Sequence, residues 1–311
     1  MEHIELYNEI VKKHPILEKI GNTQLIDLSD MYNKSKVKLY AKAEFSNPAG
    51  SVKDRAALSM ILNELKKNNS NNKRIILDAT SGNTGIALAM IGSALNIKVK
   101  LIMPSNVTSE RKSILNAYGA QVIYTNPIDG IDGAILKVKE VYNRDPEKYI
   151  YTDQYSNDAN WQAHFHTTGQ EIIKQTDGKI THFVAGVGTS GTLVGTGKRL
   201  KEYNNKIKII EVQPNSPLHG LEGLKHMESS IIPKIYNKKM SDEQIFISTE
   251  ESHQLVIKLA RNYGIMVGPS SGAALAASLQ VVNKIEHGVI VTIFCDTGYR
   301  YLTERFWNER K

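Results

Sequence analysis

The stretch Asn47-Pro48-Ala49-Gly50-Ser51-Val52-Lys53-Asp54-Arg55 passes from loop chemistry to helix chemistry. Pro48 pushes the residue before it out of the helical region, and Gly50 permits a tight bend. After Ser51 the apolar residues recur at helical spacing, at Ala56, Ala57, Met60, Ile61 and Leu65. Ser51 is therefore predicted to cap a helix whose first turn carries Lys53.

Lys53 occupies an unusual position for a lysine. The amino end of a helix carries partial positive charge, which disfavours an ammonium group there. An amine that is neutral more often can form a Schiff base with a carbonyl compound. The alternative is a solvated surface lysine, and the residues of this helix alone do not decide between the two.

Three other glycine-rich stretches bear on that choice, and each follows a short apolar run: Thr80–Gly85, Gly186–Thr192 and Gly268–Gly272. Glycines let main-chain N–H groups converge, and a following helix adds positive potential, so such a loop binds an anion. In the second stretch, Thr189, Ser190 and Thr192 add hydroxyl donors. A tight turn between a strand and a helix is the alternative reading of each stretch.

Predicted strands and helices alternate from about residue 74 to the end of the chain. This alternation predicts an α/β protein with parallel sheets covered by helices on both faces. One long helix is predicted over 159–175, and residues 215–245 are predicted to be irregular. Ligands bind beyond the carboxyl ends of parallel strands, where all the glycine-rich stretches fall, so we expect one site between two lobes.

Together, the lysine loop and the three glycine-rich stretches resemble the cysteine synthase family, which are pyridoxal-phosphate enzymes of fold type II. The resemblance runs from Ile20-Gly21-Asn22-Thr23 to Asp296-Thr297-Gly298-Tyr299-Arg300-Tyr301-Leu302. It implies two lobes, each a mostly parallel sheet covered by helices. Residues 48–150 would form the smaller, mobile lobe, and residues 1–47 and 151–311 the larger, cofactor-binding lobe.

The resemblance also implies how pyridoxal 5'-phosphate is bound. Lys53 would hold the cofactor covalently, Asn83 would bond its ring hydroxyl, and Ser270 would bond its pyridine nitrogen. The cofactor's phosphate would lie on Gly188, Thr189, Ser190, Gly191 and Thr192. A neutral serine leaves the pyridine nitrogen unprotonated, which suits elimination and replacement at the β-carbon better than transamination.

Substrate-binding residues are implied in the same way. The α-carboxylate of an amino acid would bind Thr80, Ser81, Thr84 and Gln154. Lys225 aligns where one branch of the family, which uses O-phosphoserine, has an arginine. A lysine there could serve a phosphate as a point charge, and a solvated lysine is the alternative.

The implied activity is β-replacement on an activated serine, either O-acetylserine or O-phosphoserine, with sulfide or another thiol as the nucleophile and cysteine as the product. Lys53 would act as general base. Elimination by a desulfhydrase or a serine dehydratase is one alternative. The pattern Asn160-Trp161-Gln162 resembles the diaminopropionate-forming branch, whose nucleophile is an amino acid, and Trp161 could shape the acceptor side or belong to the core. A catalytically silent binding module is a further alternative.

Composition narrows the partners and the setting. The 311 residues carry a net charge of +7, spread along the chain without a basic arm, so no nucleic-acid partner is expected. One cysteine and scattered histidines predict neither a disulfide nor a metal site. No apolar run reaches the roughly 18–20 residues of a membrane helix, and the amino terminus is polar, so we expect a cytoplasmic protein. The family is usually dimeric, which implies a homodimer.

Overall fold

A computed structural model describes residues 10–67 and 74–308 of the chain. Contacts between Cα atoms group these residues into two compact units. The first unit contains the described part of Met1–Gly21 together with Asn47–Asn160, and the second contains Asn22–Ser46 together with the described part of Trp161–Lys311. Relative to the lobes implied by the sequence, this grouping assigns residues 10–21, 47 and 151–160 to the first unit.

The described residues form a mixed α/β structure, as predicted. In chain order the strands are β1 (Leu25–Asp27), β2 (Val37–Ala43), β3 (Ile75–Ala79), β4 (Val99–Pro104), β5 (Gln121–Thr125), β6 (Tyr149–Tyr151), β7 (His182–Gly186), β8 (Lys208–Pro214), β9 (Glu243–Ile247) and β10 (Gly288–Phe294). The helices are α1 (Lys53–Lys67), α2 (Asn83–Ala94), α3 (Ser109–Ala117), α4 (Gly130–Arg144), α5 (Asp158–His166), α6 (Thr168–Gln175), α7 (Gly191–Tyr203), α8 (Thr249–Tyr263) and α9 (Pro269–Lys284).

The first unit is built on a four-stranded parallel sheet with the strand order β5-β4-β3-β6. Helix α2 is apolar around its whole circumference, and its residues Ile86–Ile91 are all buried. It packs against α1 and against β3 and β4. A helix that is apolar all round can lie only in a core, which is why α2 is an interior helix here.

The second unit is built on a six-stranded sheet with the order β1-β2-β10-β7-β8-β9. Strand β1 pairs antiparallel with β2, and the other pairs are parallel. The central strands β7 and β10 are nearly continuous apolar runs, as expected for strands buried on both faces. The central strand β8 also buries two polar residues, Glu211 and Gln213.

In each sheet the strand order reverses at one strand. In the first unit β3 lies between β4 and β6, and in the second unit β7 lies between β8 and β10. The loop beyond the carboxyl end of such a strand faces a crevice where ligands bind in open α/β sheets. The Thr80 stretch follows β3 and the Gly186 stretch follows β7, so two of the three glycine-rich stretches occupy these positions. The prediction that all three follow strands is wrong for Gly268–Gly272, which comes after helix α8 and an isolated bridge at Val267.

Two details of the predicted secondary structure are wrong. Residues 159–175 form two helices that are divided at Thr167, whose φ of −119° and ψ of −74° depart from regular helical values and whose Oγ1 donates to Ala163 O over 2.6 Å. Strand β9 ends a region predicted to be irregular. It is an edge strand paired with β8, and it begins with two polar residues, Glu243 and Gln244, so the apolar pattern starts only at Ile245.

No helix in the described ranges is both long enough and apolar enough to cross a lipid bilayer.

Candidate active site

Lys53 is the first residue of α1, at the end of a well-fixed loop. Ser51 Oγ accepts a hydrogen bond from the Lys53 main-chain N–H over 3.3 Å, so Ser51 caps the helix as predicted. Asp54 Oδ2 accepts from Ala49 N over 2.6 Å, which closes the loop onto the first turn. The Lys53 side chain is half-buried. The amine is therefore carried by a rigid helix start rather than by a mobile loop.

The Thr80 loop joins β3 to α2. Thr80 is buried, and its Oγ1 accepts hydrogen bonds from the N–H groups of Gly82 and Gly85 over 3.1 and 3.2 Å. A Cβ on Gly85 would lie 2.7 Å from Thr80 Cγ2, so this packing requires glycine. Ser81 is exposed and Asn83 half-buried at the start of α2. Thr80 thus shapes the loop, while Ser81 and Asn83 lie at the amino end of a buried helix, where anions bind.

Gln154 lies on the loop after β6 and reaches the Thr80 loop. Its side chain is 2% exposed, its Nε2 donates to Ala79 O over 2.6 Å, and its Oε1 accepts from Thr84 Oγ1 over 2.8 Å. These groups meet because β3 and β6 are adjacent parallel strands whose carboxyl ends share one edge of the sheet. The structure therefore brings Gln154 and Thr84, two predicted carboxylate-binding residues, into direct contact.

Asp78 lies beneath this contact and was missed by the sequence reasoning. Its side chain is 1% exposed. Oδ1 accepts from Ala79 N over 2.7 Å, while Oδ2 accepts from Thr152 Oγ1 over 2.5 Å and from Gln154 N over 3.3 Å. The one signal in the sequence is a carboxylate in the apolar run that ends at Ala79.

The environment of Asp78 shifts its acidity. Burial raises the pKa of the Asp78 carboxyl to about 7, although the hydrogen bonds from Thr152 and Ala79 favour the ionised form and lower it. The nearby carboxylate of Asp153 raises it further. Burial also raises the pKa of the hydroxyls of Tyr151 and Tyr155, and the Asp78 charge adds to that effect. The four groups form one acidic cluster in the first unit.

The glycine-rich loop after β7 forms a cradle in the second unit. A Cβ on Gly188 would lie 2.2 Å from Gly223 O, so only glycine permits this close approach. Ser190 has φ of 72° in the left-handed region. Its side chain is 2% exposed, and its Oγ forms no hydrogen bond with any residue that the structure describes. A buried hydroxyl without a partner is costly unless a ligand supplies one.

This loop fits the phosphate of pyridoxal phosphate. It ends at the first residue of the 13-residue helix α7, whose amino-terminal N–H groups and dipole favour an anion. The unpartnered hydroxyl of Ser190 supplies a donor of the kind that a phosphate oxygen accepts. Gly188, Thr189, Ser190, Gly191 and Thr192 all lie on this short loop and helix start, as the resemblance implies.

His164 supports the cradle and was not predicted to do so. It is fully buried, with Nε2 at 3.3 Å from Thr192 Oγ1 and Nδ1 at 2.9 Å from Thr168 Oγ1. The imidazole thus links the cradle to helix α6. A histidine among apolar helix residues is the only sequence signal, and it does not distinguish this role from simple core packing.

Ser270 and Lys225 lie next to the same cradle through the loop at 221–231. Ser270 is buried in the first turn of α9, and a Cβ on Gly223 would lie 3.8 Å from its Oγ. Lys225 N donates to Val187 O over 2.8 Å, and Lys225 Nζ donates to Ile231 O over 3.4 Å. The Lys225 side chain is 7% exposed, which excludes the alternative of a solvated surface lysine.

Trp161 packs helix against helix in the second unit. Lys198 Nζ lies 3.7 Å from the centre of its ring, and Phe165 meets the ring edge-on at 6.3 Å. A Cβ on Gly195 of α7 would lie 1.9 Å from Trp161 O. These contacts favour the reading of Trp161 as a core residue.

The predicted site residues fall into two sets. Lys53, Thr80, Ser81, Asn83, Thr84 and Gln154 belong to the first unit, and Gly188–Thr192, Lys225 and Ser270 belong to the second. Among the residues with described positions, no group of three or more His, Cys, Asp or Glu side chains is placed to hold a metal ion.

The chain is similar to known proteins over nearly its whole length. Residues 16–296 match the family described as pyridoxal-phosphate dependent enzyme. The chain is 50% identical to the cysteine synthase of Aquifex aeolicus over 316 aligned positions, which cover 99% of this chain and 96% of that protein. It is 39% identical to cysteine synthase B of Pseudomonas aeruginosa, with 95% of this chain and 98% of that protein covered.

A crystal structure of cysteine synthase from Entamoeba histolytica matches with a TM-score of 0.90 at 35% identity, covering 96% of this chain and 91% of that chain.

The unpartnered hydroxyl of Ser190 predicts opposite effects on the apoprotein and on cofactor binding. In Ser190→Ala, we expect the apoprotein to unfold at the same temperature or higher, because no hydrogen bond is lost. The dissociation constant for pyridoxal phosphate should rise by about tenfold or more, the effect of removing one hydrogen bond to a charged group. Thermal unfolding and cofactor titration measure the two effects.

A matched control lies farther along α7. Thr196 Oγ1 is also buried without a hydrogen-bond partner among the described residues. Thr196→Val should leave apoprotein stability unchanged or higher and should not change cofactor affinity. An unchanged dissociation constant in Ser190→Ala would contradict the assignment of this loop to the phosphate.

The raised pKa of Asp78 predicts a pH dependence of stability. Between the ordinary pKa of 3.8 and the raised value of about 7, the folded protein holds a proton that the unfolded chain has lost. The contribution of Asp78 to the free energy of unfolding should therefore fall as pH rises through this range, by about 1 kcal/mol per pH unit, and level off above it. Urea unfolding at several pH values gives the free energy of unfolding of the unmodified apoprotein and of Asp78→Asn, and the difference between the two isolates the contribution of Asp78. A difference that does not vary with pH would contradict the raised pKa.

Proposed function

The chain belongs to the pyridoxal-phosphate-dependent enzyme family, and on that basis we propose that it is a cysteine synthase of fold type II. The reaction is β-replacement on an activated serine, with sulfide or another thiol as nucleophile. The observation that carries the proposal is a full set of cofactor-binding and carboxylate-binding groups in a chain that matches cysteine synthases from end to end. Amino-acid substrate, thiol nucleophile and cofactor are the partners that this reaction needs.

The residues that would hold the cofactor are those argued above. Lys53 would supply the amine for covalent attachment, the cradle at Gly188–Thr192 would bind the phosphate, Ser270 would bond the pyridine nitrogen, and Asn83 would bond the ring hydroxyl. When bound, pyridoxal phosphate withdraws electrons from the α-carbon of an amino acid, which makes the α-proton acidic and allows the β-substituent to leave. Because serine is a neutral partner, Ser270 keeps this withdrawal modest, as β-replacement needs.

The chain's own groups orient the substrate and move its proton. The α-carboxylate would bind at the amino end of α2, to main-chain N–H groups, the hydroxyls of Thr80 and Ser81 and the Gln154 amide. Thr84 gives its hydroxyl hydrogen to Gln154 Oε1, so it would contribute its main-chain N–H and hold the amide in place. Lys53 takes the α-proton as general base and returns it later. Because Lys53 is anchored at the start of α1, its amine reaches only a limited set of positions. This limit favours removal of the α-proton over removal of the substrate's other protons.

Lys225 bears on the choice of activated serine. The Nζ of its buried side chain donates to the main-chain carbonyl of Ile231, and a phosphate would be a stronger acceptor for this group. We propose that it gives O-phosphoserine a binding advantage that O-acetylserine lacks. Elimination, serine dehydration and diaminopropionate synthesis are not favoured, because the similar proteins reported above are cysteine synthases. A silent binding module would have no use for the retained Lys53, Asn83, Gln154 and Ser270.

We extend the proposal to assembly and location on the resemblance alone. A homodimer is the usual state of the family. A chain with one cysteine suits a reducing compartment, so the cytoplasm is the proposed setting. Sedimentation of the purified protein at several concentrations tests the first point.

Lys53→Ala tests the covalent attachment. The variant should lose the visible absorbance band of the lysine-bound cofactor, and kcat should fall by about a thousandfold or more, because attachment and proton transfer are lost together. Absorbance spectra and cysteine formation from O-acetylserine and sulfide are the measurements. Lys67→Ala, on an exposed residue at the other end of α1, should change neither. Retention of the band and of full turnover in Lys53→Ala would refute the assignment.

Lys225→Ala tests the reading of the donor. We expect kcat/KM with O-phosphoserine to fall by about ten- to a hundredfold more than with O-acetylserine, because only the phosphate loses a charged partner. Steady-state rates on the two donors measure this ratio, with Lys234→Ala, an exposed residue of the same segment, as the control. Equal losses on both donors would rule out a phosphate-reading role for Lys225.

A further inference from the structure

A buried carboxylate that the proposed reaction does not use lies directly behind the carboxylate-binding loops. Asp78 is the residue before the last in β3, and its neighbours Leu77 and Ala79 are buried and apolar. Its two oxygens accept from three donors, Ala79 N, Thr152 Oγ1 and Gln154 N. Ala79 is the last residue of β3, and Thr152 and Gln154 lie on the loop that follows β6.

Placing a carboxylate there is unfavourable for the fold. Removing a charge from water costs free energy that hydrogen bonds repay only in part, and an apolar residue at this position would extend the core of the sheet. Burial raises the pKa of Asp78 to about 7, which is the mark of a charge that its surroundings do not fully compensate. Proteins keep such costly groups where function needs them.

Asp78 holds a turn formed by Thr152, Asp153 and Gln154, and the main chain of this turn is strained. Asp153, between the two residues bonded by Asp78 Oδ2, has φ of 43°, a conformation that residues with a Cβ seldom adopt. Thr152 is tied on one side of it and Gln154 on the other. A turn of this kind persists only where its surroundings hold it, and the Asp78 carboxylate supplies contacts on both sides.

The turn sets the position of the Gln154 side chain. Its amide bridges Ala79 O and Thr84 Oγ1, over 2.6 and 2.8 Å, and Asn160 Nδ2 donates to Gln154 O over 2.7 Å. The Gln154 Nε2 group carries a second hydrogen beyond the one given to Ala79 O, and that donor is the one a substrate carboxylate can accept. Displacing the turn would move this donor and the Thr84 hydroxyl together.

We propose that Asp78 is a positioning residue for the substrate's α-carboxylate: it holds the Thr152–Gln154 turn so that Gln154 and Thr84 stay in their binding geometry. The inference rests on the proposed function, because it takes an amino acid as the ligand of these two residues. Asp78 itself does not touch substrate. Its effect should therefore appear in amino-acid binding rather than in cofactor attachment or in the chemical step.

The test uses the cofactor-loaded enzyme titrated with O-acetylserine, followed by the change in its visible spectrum. In Asp78→Asn, which keeps the shape but cannot accept from all three donors, the apparent dissociation constant should rise by about tenfold. The absorbance band of the unliganded enzyme should be unchanged, and kcat at saturating donor should stay within about twofold, so that the loss lies in KM. In the double variant Gln154→Ala/Asp78→Asn, the apparent dissociation constant should be little higher than in Gln154→Ala alone, because Asp78 acts through Gln154.

A second pair of variants keeps the test independent of how well Asp78→Asn folds. Thr152→Val removes the hydroxyl that donates to Asp78, whereas Thr152→Ser keeps it. The first should weaken amino-acid binding and the second should not. Asp145→Asn, an exposed carboxylate of the same unit, is the control. Amide hydrogen exchange of the apoprotein gives a readout without cofactor: the Gln154 N–H should exchange faster in Asp78→Asn and Thr152→Val than in Thr152→Ser.

The outcomes separate this inference from the proposed function. If the unmodified enzyme shows neither a spectral response nor turnover with O-acetylserine or with O-phosphoserine, the proposed function fails and this inference falls with it. If the unmodified enzyme responds, and both Asp78→Asn and Thr152→Val bind O-acetylserine as tightly as the unmodified enzyme does, the inference alone is overturned. Additive losses in the double variant, or a loss of the cofactor band in Asp78→Asn, would likewise overturn it, because they would show a general structural role.

Discussion

The parallel register of each sheet is the constraint on which the rest of the molecule depends. Parallel strands all end at the same edge, so the loops that follow neighbouring strands are forced together there. In the first unit this brings the Thr80 loop after β3 against the Gln154 loop after β6. In the second it places the Gly186 stretch at the strand where the order reverses. Residues far apart in the chain become one binding surface because of hydrogen bonding within a sheet.

The two units place different groups around the positions proposed to bind anions. The cradle at Gly188–Thr192 offers the proposed phosphate neutral donors at a helix start, namely main-chain N–H groups and the unpartnered hydroxyl of Ser190. The first unit buries a carboxylate, Asp78, behind Gln154 and Thr84, the neutral groups proposed to bind the substrate. In both units the charged or strained component is held by its neighbours, and the groups proposed to bind an anion there are neutral hydrogen-bond donors. Such donors can be fixed in place more closely than long charged side chains, which helps orientation.

Close main-chain packing is the second theme of the site. Gly188 permits the cradle to meet the main chain at Gly223, and Gly223 in turn lies beside Ser270. The groups expected to bind the phosphate and the pyridine nitrogen are thereby built from three chain segments that touch without intervening side chains. Lys225 follows in the same loop and is buried because its main-chain N–H is bonded to Val187 O. Its burial is a consequence of the loop's path.

Local sequence was enough to predict the alternation of strands and helices, the helix start at Lys53 and the glycine-rich loops after β3 and β7, because these depend on periodicity, glycine and capping residues within a few positions. It did not predict the break at Thr167, where the hydroxyl bonds back to Ala163 O, or the edge strand β9, where pairing with β8 outweighs a weak local pattern. It also missed Asp78 and His164, since a polar residue in an apolar run has no visible purpose until its partners are known. Those partners, Thr152 and Gln154 for Asp78 and Thr192 for His164, lie far away in the chain. Only the pairing of β3 with β6, and the packing of helices in the second unit, bring them within hydrogen-bonding distance.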